Sequence, residues 1–268
     1  MRPLLFILIF ILHPSLHAKK MAVIVSIPPQ QFMLEFLAGD WLDIESLVQA
    51  GQNPEHWIPK PQQLAKITKT TAFFQINLPF EQVWRKKIKQ LNPQIKLFKF
   101  TPNKGSHTDP HSWVDPTEYL ALLEQTTTIL KTQLLPQYQQ QIQQNSEQLK
   151  HQIKQLDQNL KQQFKHLQQT TFWVYHPAWG YFAKHYGLTQ IAIEEEGKAP
   201  SARQLSTLIK KAKQHKVPFI FIQPQFNNRE VNVLAQAISA KIQVIDPLAK
   251  DYLRNMRYIG AKLSQSLK

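Results

Sequence analysis

The segment 137–169, in the middle of the chain, contains neither glycine nor proline and is rich in glutamine and lysine. Its apolar residues follow one another in steps of three, four or seven: Tyr138, Ile142, Leu149, Ile153, Leu156, Leu160, Phe164 and Leu167. This spacing predicts one apolar stripe along a single long helix, and Pro136 suits its first turn. A helix of about 30 residues extends roughly 45 Å. We expect a rigid spine that connects two halves of the protein, with a coiled-coil oligomerisation arm as the alternative.

Short apolar runs alternate with helix-like segments on both sides of this spine. Strands are predicted at 21–27, 44–48, 72–76 and 95–100, and then at 171–175, 190–193, 219–222 and 242–245. Helices are predicted at 30–38, 61–68 and 80–91, and then at 178–186, 201–215, 228–240 and 252–267. The alternation is typical of βαβ units around a parallel sheet. The predicted fold is therefore α/β, with two lobes of parallel sheet flanked by helices (19–135 and 170–268) and a linking helix at 136–169.

The N-terminus has the pattern of a secretory signal peptide, predicted for residues 1–18. Arg2 precedes the apolar run 4–12, and Ala18 is a small residue at a plausible cleavage point. A membrane anchor is the alternative, but a transmembrane helix needs about 20 apolar residues. The chain has no cysteine, so we expect a soluble, periplasmic protein that is not a lipoprotein. The same absence excludes disulfides, thiolate zinc fingers and iron–sulfur clusters.

The formal net charge is +14, which invites a nucleic-acid interpretation. The lysines are spread along the chain, however, and no nucleic-acid motif accompanies them. A secreted protein also meets little nucleic acid, so we expect no nucleic-acid partner.

Four possible metal ligands follow predicted strands. His56 lies after the second strand and His111 after the fourth, whereas His176 and Asp246 end the first and last strands of the second lobe. Ligands of open parallel sheets bind outside the carboxyl ends of the strands. If the lobes face each other, three histidines and one carboxylate form a shell that suits zinc. Sequence spacing gives no support, since the four positions are far apart, and each histidine taken alone is better interpreted as a surface or hydrogen-bonded loop residue; only their shared place at the strand ends favours a metal site.

Four ordered motifs resemble the zinc and manganese solute-binding proteins of ABC importers, the group that contains ZnuA and TroA. They are Gly51-Gln52-Asn53-Pro54-Glu55-His56, Asp109-Pro110-His111-Ser112-Trp113-Val114-Asp115-Pro116, His176-Pro177-Ala178-Trp179-Gly180 with Tyr186-Gly187-Leu188, and Ile245-Asp246-Pro247-Leu248 with Tyr252. The segment Glu196-Gly197-Lys198-Ala199-Pro200-Ser201 is similar to another landmark of the family. The resemblance covers nearly the whole chain after the signal peptide.

The resemblance implies that His56, His111, His176 and Asp246 bind a metal between the lobes. A histidine at the third position resembles the zinc-preferring members, whereas manganese-preferring members tend to carry glutamate there. The implied protein is not an enzyme: it is a monomer that captures Zn²⁺ as its cargo and delivers it to an inner-membrane ABC permease. A manganese-binding homologue, a secreted zinc hydrolase and an adhesin built around the long helix are the alternatives. No H-E-x-x-H signature supports the hydrolase.

Two features depart from the family pattern, and the roles of two further residues stay open. The histidine-rich loop of many zinc members is reduced to the segment 104–108, in which His107 is the one histidine. Gln223 occupies a position that is commonly acidic, which predicts weaker orientation of a ligand histidine. Glu55, beside His56, is an alternative or additional ligand. His185 is interpreted as a residue at a helix end.

Overall fold

The structure is a computed structural model, and it describes residues 19–102, 109–194, 197–226 and 229–268. The predicted signal peptide, the segment 104–108 with His107, and Glu196 of the family landmark lie outside the described residues. Within the described ranges, no helix combines the length and the apolar character that crossing a bilayer requires.

Two four-stranded parallel sheets form the centres of the two lobes. The first contains β1 (Met21–Val25), β2 (Leu42–Ser46), β3 (Ala72–Gln75) and β4 (Lys96–Lys99), in the order β2-β1-β3-β4. The second contains β5 (Thr171–Val174), β6 (Thr189–Ala192), β7 (Phe219–Ile222) and β8 (Lys241–Val244), in the order β6-β5-β7-β8. The two sheets thus repeat one topology, and the predicted two-lobed α/β fold is confirmed.

The helices connect and cover the strands. In the first half they are α1 (Pro28–Ala38), α2 (Pro61–Ile67), α3 (Pro79–Leu91) and α4 (Pro116–Ile129). The long helix α5 (Gln139–Phe164) follows, and the second half contains α6 (Gly180–His185), α7 (Ala202–Gln214), α8 (Arg229–Ile238) and α9 (Tyr252–Ser266). The bounds differ from the predicted ones by a few residues, which is typical of helix ends that fray or tighten.

The long helix α5 buries the predicted apolar stripe. Its buried apolar residues are Ile142, Leu149, Ile153, Leu156, Leu160 and Phe164. It packs against α1 and α4 from the first half of the chain and against α9 from the second. Pro136 lies in a short 3-10 turn, Pro136–Tyr138, immediately before α5. One continuous helix therefore contacts both lobes, as expected of a spine.

Helix α4 is an element to which the sequence analysis assigned no structure. Pro116 occupies its first turn, and the Asp115 carboxylate caps it by accepting a hydrogen bond from the Thr117 backbone N–H at 2.8 Å. Its buried residues include Tyr119 and Leu123 as well as the polar Thr126 and Thr127. Burial on several sides leaves no clear apolar stripe in the sequence, and periodicity therefore failed to identify this helix.

Candidate metal site

His111 is fixed by a carboxylate two residues before it. It lies between β4 and a 3-10 turn at Ser112–Val114, and it is 3% exposed. Asp109 Oδ1 accepts a hydrogen bond from the His111 backbone N–H at 2.9 Å and lies 2.9 Å from the ring Nδ1. Gly180 leaves room for this carboxylate, since a Cβ there would lie 2.6 Å from Asp109 Oδ2. Both the backbone and the ring of His111 are thereby oriented.

His176 is held in the same way from the other lobe. It follows β5 and is buried, and its Nδ1 lies 2.6 Å from Glu194 Oε1. Glu194 is 5% exposed and comes shortly after β6, the neighbour of β5 in the sheet. Gln223, which follows β7, donates a hydrogen bond from Nε2 to the His176 carbonyl oxygen at 3.0 Å. Gln223 thus holds the backbone, and Glu194 orients the ring.

The sequence analysis did not identify Glu194. A signal was present, because Glu194 follows the strand that pairs with β5 and therefore lies at the same carboxyl edge of the sheet as His176. The resemblance drew attention to Gln223 instead. A carboxylate on the outer nitrogen of a ligand histidine fixes the tautomer and the ring orientation, and in this chain Asp109 and Glu194 both have that geometry.

The two rings direct their remaining nitrogens at one point between the lobes. His111 Nε2 and His176 Nε2 are 3.3 Å apart, and Glu55 Oε1 lies 3.7 Å from the first and 3.5 Å from the second. These three atoms form the one group of possible metal ligands identified among the described residues. Two ligands bound to a tetrahedral zinc at about 2.0–2.1 Å lie roughly 3.3 Å from each other. The triangle formed by Glu55, His111 and His176 is therefore close to one face of a zinc tetrahedron.

His56 and Asp246 lie outside this triangle. The His56 side chain is exposed, and its Nε2 lies 3.5 Å from where a Cβ on Gly197 would be. Asp246 is partly buried, and its Oδ1 accepts a hydrogen bond from the Leu248 backbone N–H at 2.8 Å. Burial raises the pKa of the Asp246 carboxyl above its ordinary value, and this hydrogen bond opposes the rise. Of the four predicted ligands, the structure brings His111 and His176 together and adds Glu55.

Aromatic side chains enclose the two central histidines. Phe226 stacks on the His176 ring with 5.1 Å between centroids, and Trp113 lies 5.2 Å from the His111 ring. The Trp113 indole N–H donates to the Pro247 carbonyl oxygen at 2.8 Å. This contact joins the two lobes beside the site, and the surrounding rings limit the access of water.

Two α/β lobes on one spine form the architecture of a two-lobed solute-binding protein, and the nitrogen–oxygen cluster between the lobes is a candidate metal site. The sequence model of the family described as "Zinc-uptake complex component A periplasmic" matches residues 23–266. The chain belongs to this family, which confirms the resemblance noted from the motifs.

Solved and curated relatives agree with this assignment. A crystal structure of ZnuA is 35% identical, covers 93% of this chain and 100% of that chain, and has a TM-score of 0.88. The zinc-binding lipoprotein AdcA of Streptococcus pneumoniae is 25% identical over 252 residues, which is 85% of this chain and 50% of AdcA. The high-affinity zinc uptake system protein ZnuA of Bacillus subtilis is 24% identical over 256 residues, 85% of this chain and 79% of that protein. The chain thus spans about half the length of the streptococcal relative.

Proposed function

We propose that this protein is the extracytoplasmic zinc-capture subunit of a metal-importing ABC transporter. One observation carries the proposal: two buried histidines from different lobes place their Nε2 atoms 3.3 Å apart, and each Nδ1 faces a carboxylate. With both Nδ1–H groups donating to carboxylates, both Nε2 lone pairs point to one place, where a metal ion relieves their repulsion. The names of the zinc-binding and zinc-uptake relatives support zinc as the cargo.

We propose that the ligand shell is built on His111 and His176. The pair Glu55–His56 supplies a third ligand, and Asp246 completes the shell. The Glu55 carboxylate already lies close enough to the ring nitrogens of His111 and His176 to share one metal ion with them. His56, in contrast, has to turn inward from its exposed position. Imidazole donors favour zinc over manganese, whose preferred ligands are carboxylate, carbonyl and water oxygens. Four protein ligands also leave no open position for the activated water of a hydrolase.

The first experiment measures zinc in protein purified without metal-binding tags or chelators. We expect about one tightly held zinc per chain, as a single shell between two lobes requires. The variants Glu55→Ala, His56→Ala and Asp246→Ala are then compared by competition with a chromophoric chelator. If Glu55 is the resident ligand, Glu55→Ala weakens binding more than His56→Ala. Wild-type protein that remains metal-free after zinc is supplied would contradict the proposed function.

Glu194 offers a second prediction, because it orients His176 without lying in the ligand triangle. We expect Glu194→Ala to weaken zinc binding by about 10- to 100-fold, the usual effect of removing the partner of a ligand histidine. Glu194→Gln retains an oxygen that can accept a hydrogen bond from His176 Nδ1, so this variant should lose less zinc affinity than Glu194→Ala. The readout is the zinc dissociation constant, with the melting temperature of the metal-free protein as a control for folding. Equal affinity in all three proteins would show that the contact does not orient the ring for zinc.

We further propose that the protein acts in the periplasm as a monomer and delivers its zinc to a membrane permease. The family description and the zinc-uptake relatives support this placement. The two lobes, proposed as 19–135 and 170–268, would each contribute part of the shell, so that release requires a small separation of the lobes. The spine α5 contacts both lobes and therefore limits that separation.

A further inference from the structure

His185 lies in a buried ionic cluster between the two lobes, next to the N-terminus of α4. The side chain is 7% exposed, and both ring nitrogens face carboxylates. Its Nδ1 is 3.1 Å from Asp115 Oδ1, and its Nε2 is 2.9 Å from Asp157 Oδ1. Asp157 Oδ1 also accepts from the Tyr186 hydroxyl at 3.0 Å, and Asp157 Oδ2 pairs with Lys161 Nζ at 2.6 Å. The sequence analysis treated His185 as an ordinary helix-end residue.

Three parts of the fold meet at this cluster. Asp115 caps α4 in the first lobe, Asp157 belongs to the spine α5, and His185 is the last residue of α6 in the second lobe. Asp115 comes four residues after His111, and α6 begins four residues after His176. The cluster therefore joins the segment that follows His111 to the segment that follows His176.

We propose that His185 is an inter-lobe pin that fixes His176 relative to His111 and so sets the geometry of the zinc site. This inference rests on the proposed function. The pin acts beside other contacts between the lobes. These include Trp113 with the Pro247 carbonyl, the stacked rings of Tyr119 and Tyr252, whose centroids are 3.6 Å apart, and the ion pair of Lys250 with Glu35 at 2.8 Å. His185 is thus a positioning residue and does not touch the metal.

The charges in the cluster explain why a histidine is suited to this role. A neutral imidazole has one N–H, so donating to Asp115 and Asp157 together requires the doubly protonated ring. Burial opposes that charge, but the hydrogen bonds to the two carboxylates outweigh it and raise the pKa of His185 to about 9. For Asp157, burial is likewise outweighed by hydrogen bonds from His185, Lys161 and Tyr186, which lower its pKa to about 2. The pin therefore stays charged at neutral pH.

The pKa shifts determine how the stability that His185 contributes changes with pH. The titratable groups that face the cluster are Asp115, Asp157, Lys161, Tyr186 and Tyr252, with Tyr119 stacked on Tyr252. Burial raises the pKa values of the three tyrosines, which remain neutral. The pKa of His185 is higher in the folded protein than its ordinary 6.5. The stability that it contributes is therefore full below about pH 6.5 and is lost as pH rises through about 9.

A stability experiment tests the charge of the pin in metal-free protein held in chelator. We expect His185→Gln to lower the melting temperature by about 6–15 °C near pH 7, since it leaves buried carboxylates without their partner. The difference from wild type should shrink by more than half near pH 10, where the wild-type ring also loses its proton. His215→Gln, the same change at an exposed histidine, should have no effect. A difference that stays the same at both pH values would overturn the charged pin.

A distance experiment tests positioning. Because the chain has no cysteine, Lys86→Cys on α3 and Lys210→Cys on α7, both exposed, introduce one spin label into each lobe. We expect a narrow inter-lobe distance distribution that broadens in His185→Gln. Zinc affinity at neutral pH should weaken roughly tenfold with all ligands intact. If His185→Gln does not fold, Asp157→Asn removes one charge at constant size.

The outcomes separate the pin from the proposed function. An unchanged distance distribution together with unchanged zinc affinity would show that His185 has only a stabilising role, and the pin would be rejected. Wild-type protein that binds no zinc would reject the proposed function, while the distance distribution of the metal-free protein still decides whether His185 fixes the lobes.

Discussion

Replacing His176 with alanine is expected to lower zinc affinity by about 100- to 1,000-fold. Structural zinc sites supply roughly 10–16 kcal/mol in total, and one of about four ligands accounts for a proportional share. His176 is the proposed ligand that the second lobe places against His111, with 3.3 Å between the two Nε2 atoms. Its loss leaves a shell drawn mainly from the first lobe. Competition with a chromophoric zinc chelator measures the change.

The pH dependence of the same measurement distinguishes ligand loss from general damage. Zinc binds neutral histidines, so protons compete with the metal. The zinc affinity of the wild-type protein should therefore decrease as the pH is lowered from about 7.5 to about 5.5. His176→Ala has one histidine fewer to protonate and should show a shallower fall. His215→Ala, at an exposed position after α7, is the matched control. Equal affinities for wild type and His176→Ala, or a flat wild-type profile, would contradict histidine ligation.

The second large effect concerns the spine. Leu160 on α5 is 1% exposed and packs where α9 passes at Gly260, and a Cβ built on Gly260 would lie only 2.1 Å from Leu160 Cδ2. We expect Leu160→Ala to lower the free energy of unfolding by about 2–5 kcal/mol through lost burial and a residual cavity. Gly260→Ala alone should cost about 1–3 kcal/mol because it overpacks the same place. Urea unfolding of the metal-free protein provides both values.

The double variant Leu160→Ala with Gly260→Ala tests whether the two effects share one space. The added methyl group should occupy part of the cavity, so the double variant should be more stable than the sum of the single changes predicts. Val83→Ala on α3 is the control, since Val83 is 75% exposed and its truncation should change stability by less than about 0.5 kcal/mol. Strict additivity would show that the α5–α9 contact is looser than the structure indicates.

Much of the fold could be predicted from the sequence because its elements repeat with simple periods. The eight strands were recognised as short apolar runs, and β2 (Leu42–Ser46) lies two residues earlier than the predicted 44–48. Helix α5 carries its apolar stripe on one face, which periodicity detects directly. Helix α4 escaped detection because its buried residues occupy several sides. Local patterns therefore identified the strands as apolar runs and, among the helices, those that have one buried face.

The site could be predicted less completely. Motifs identified His111 and His176, and the structure brings them together. The first motif, 51–56, contains both Glu55 and His56, and the sequence does not show which of the two side chains turns inward. The structure turns Glu55 in and leaves His56 exposed. The assignment of His56 and Asp246 as ligands stays a prediction.

The sequence by itself determined the composition of the donor set, the period of the spine and the family. A chain without cysteine cannot bind zinc through thiolates, which leaves histidine nitrogen and carboxylate oxygen as its zinc ligands, and this follows from residue types alone. Only the tertiary structure decided which groups act together. Glu194 meets His176 because β5 and β6 are neighbours in one sheet. His185 meets Asp115 and Asp157 because α6 lies against the 3-10 turn that precedes α4 and its Phe182 ring contacts Phe164 of α5. Such pairs lie far apart along the chain, and their interactions depend on distance in space.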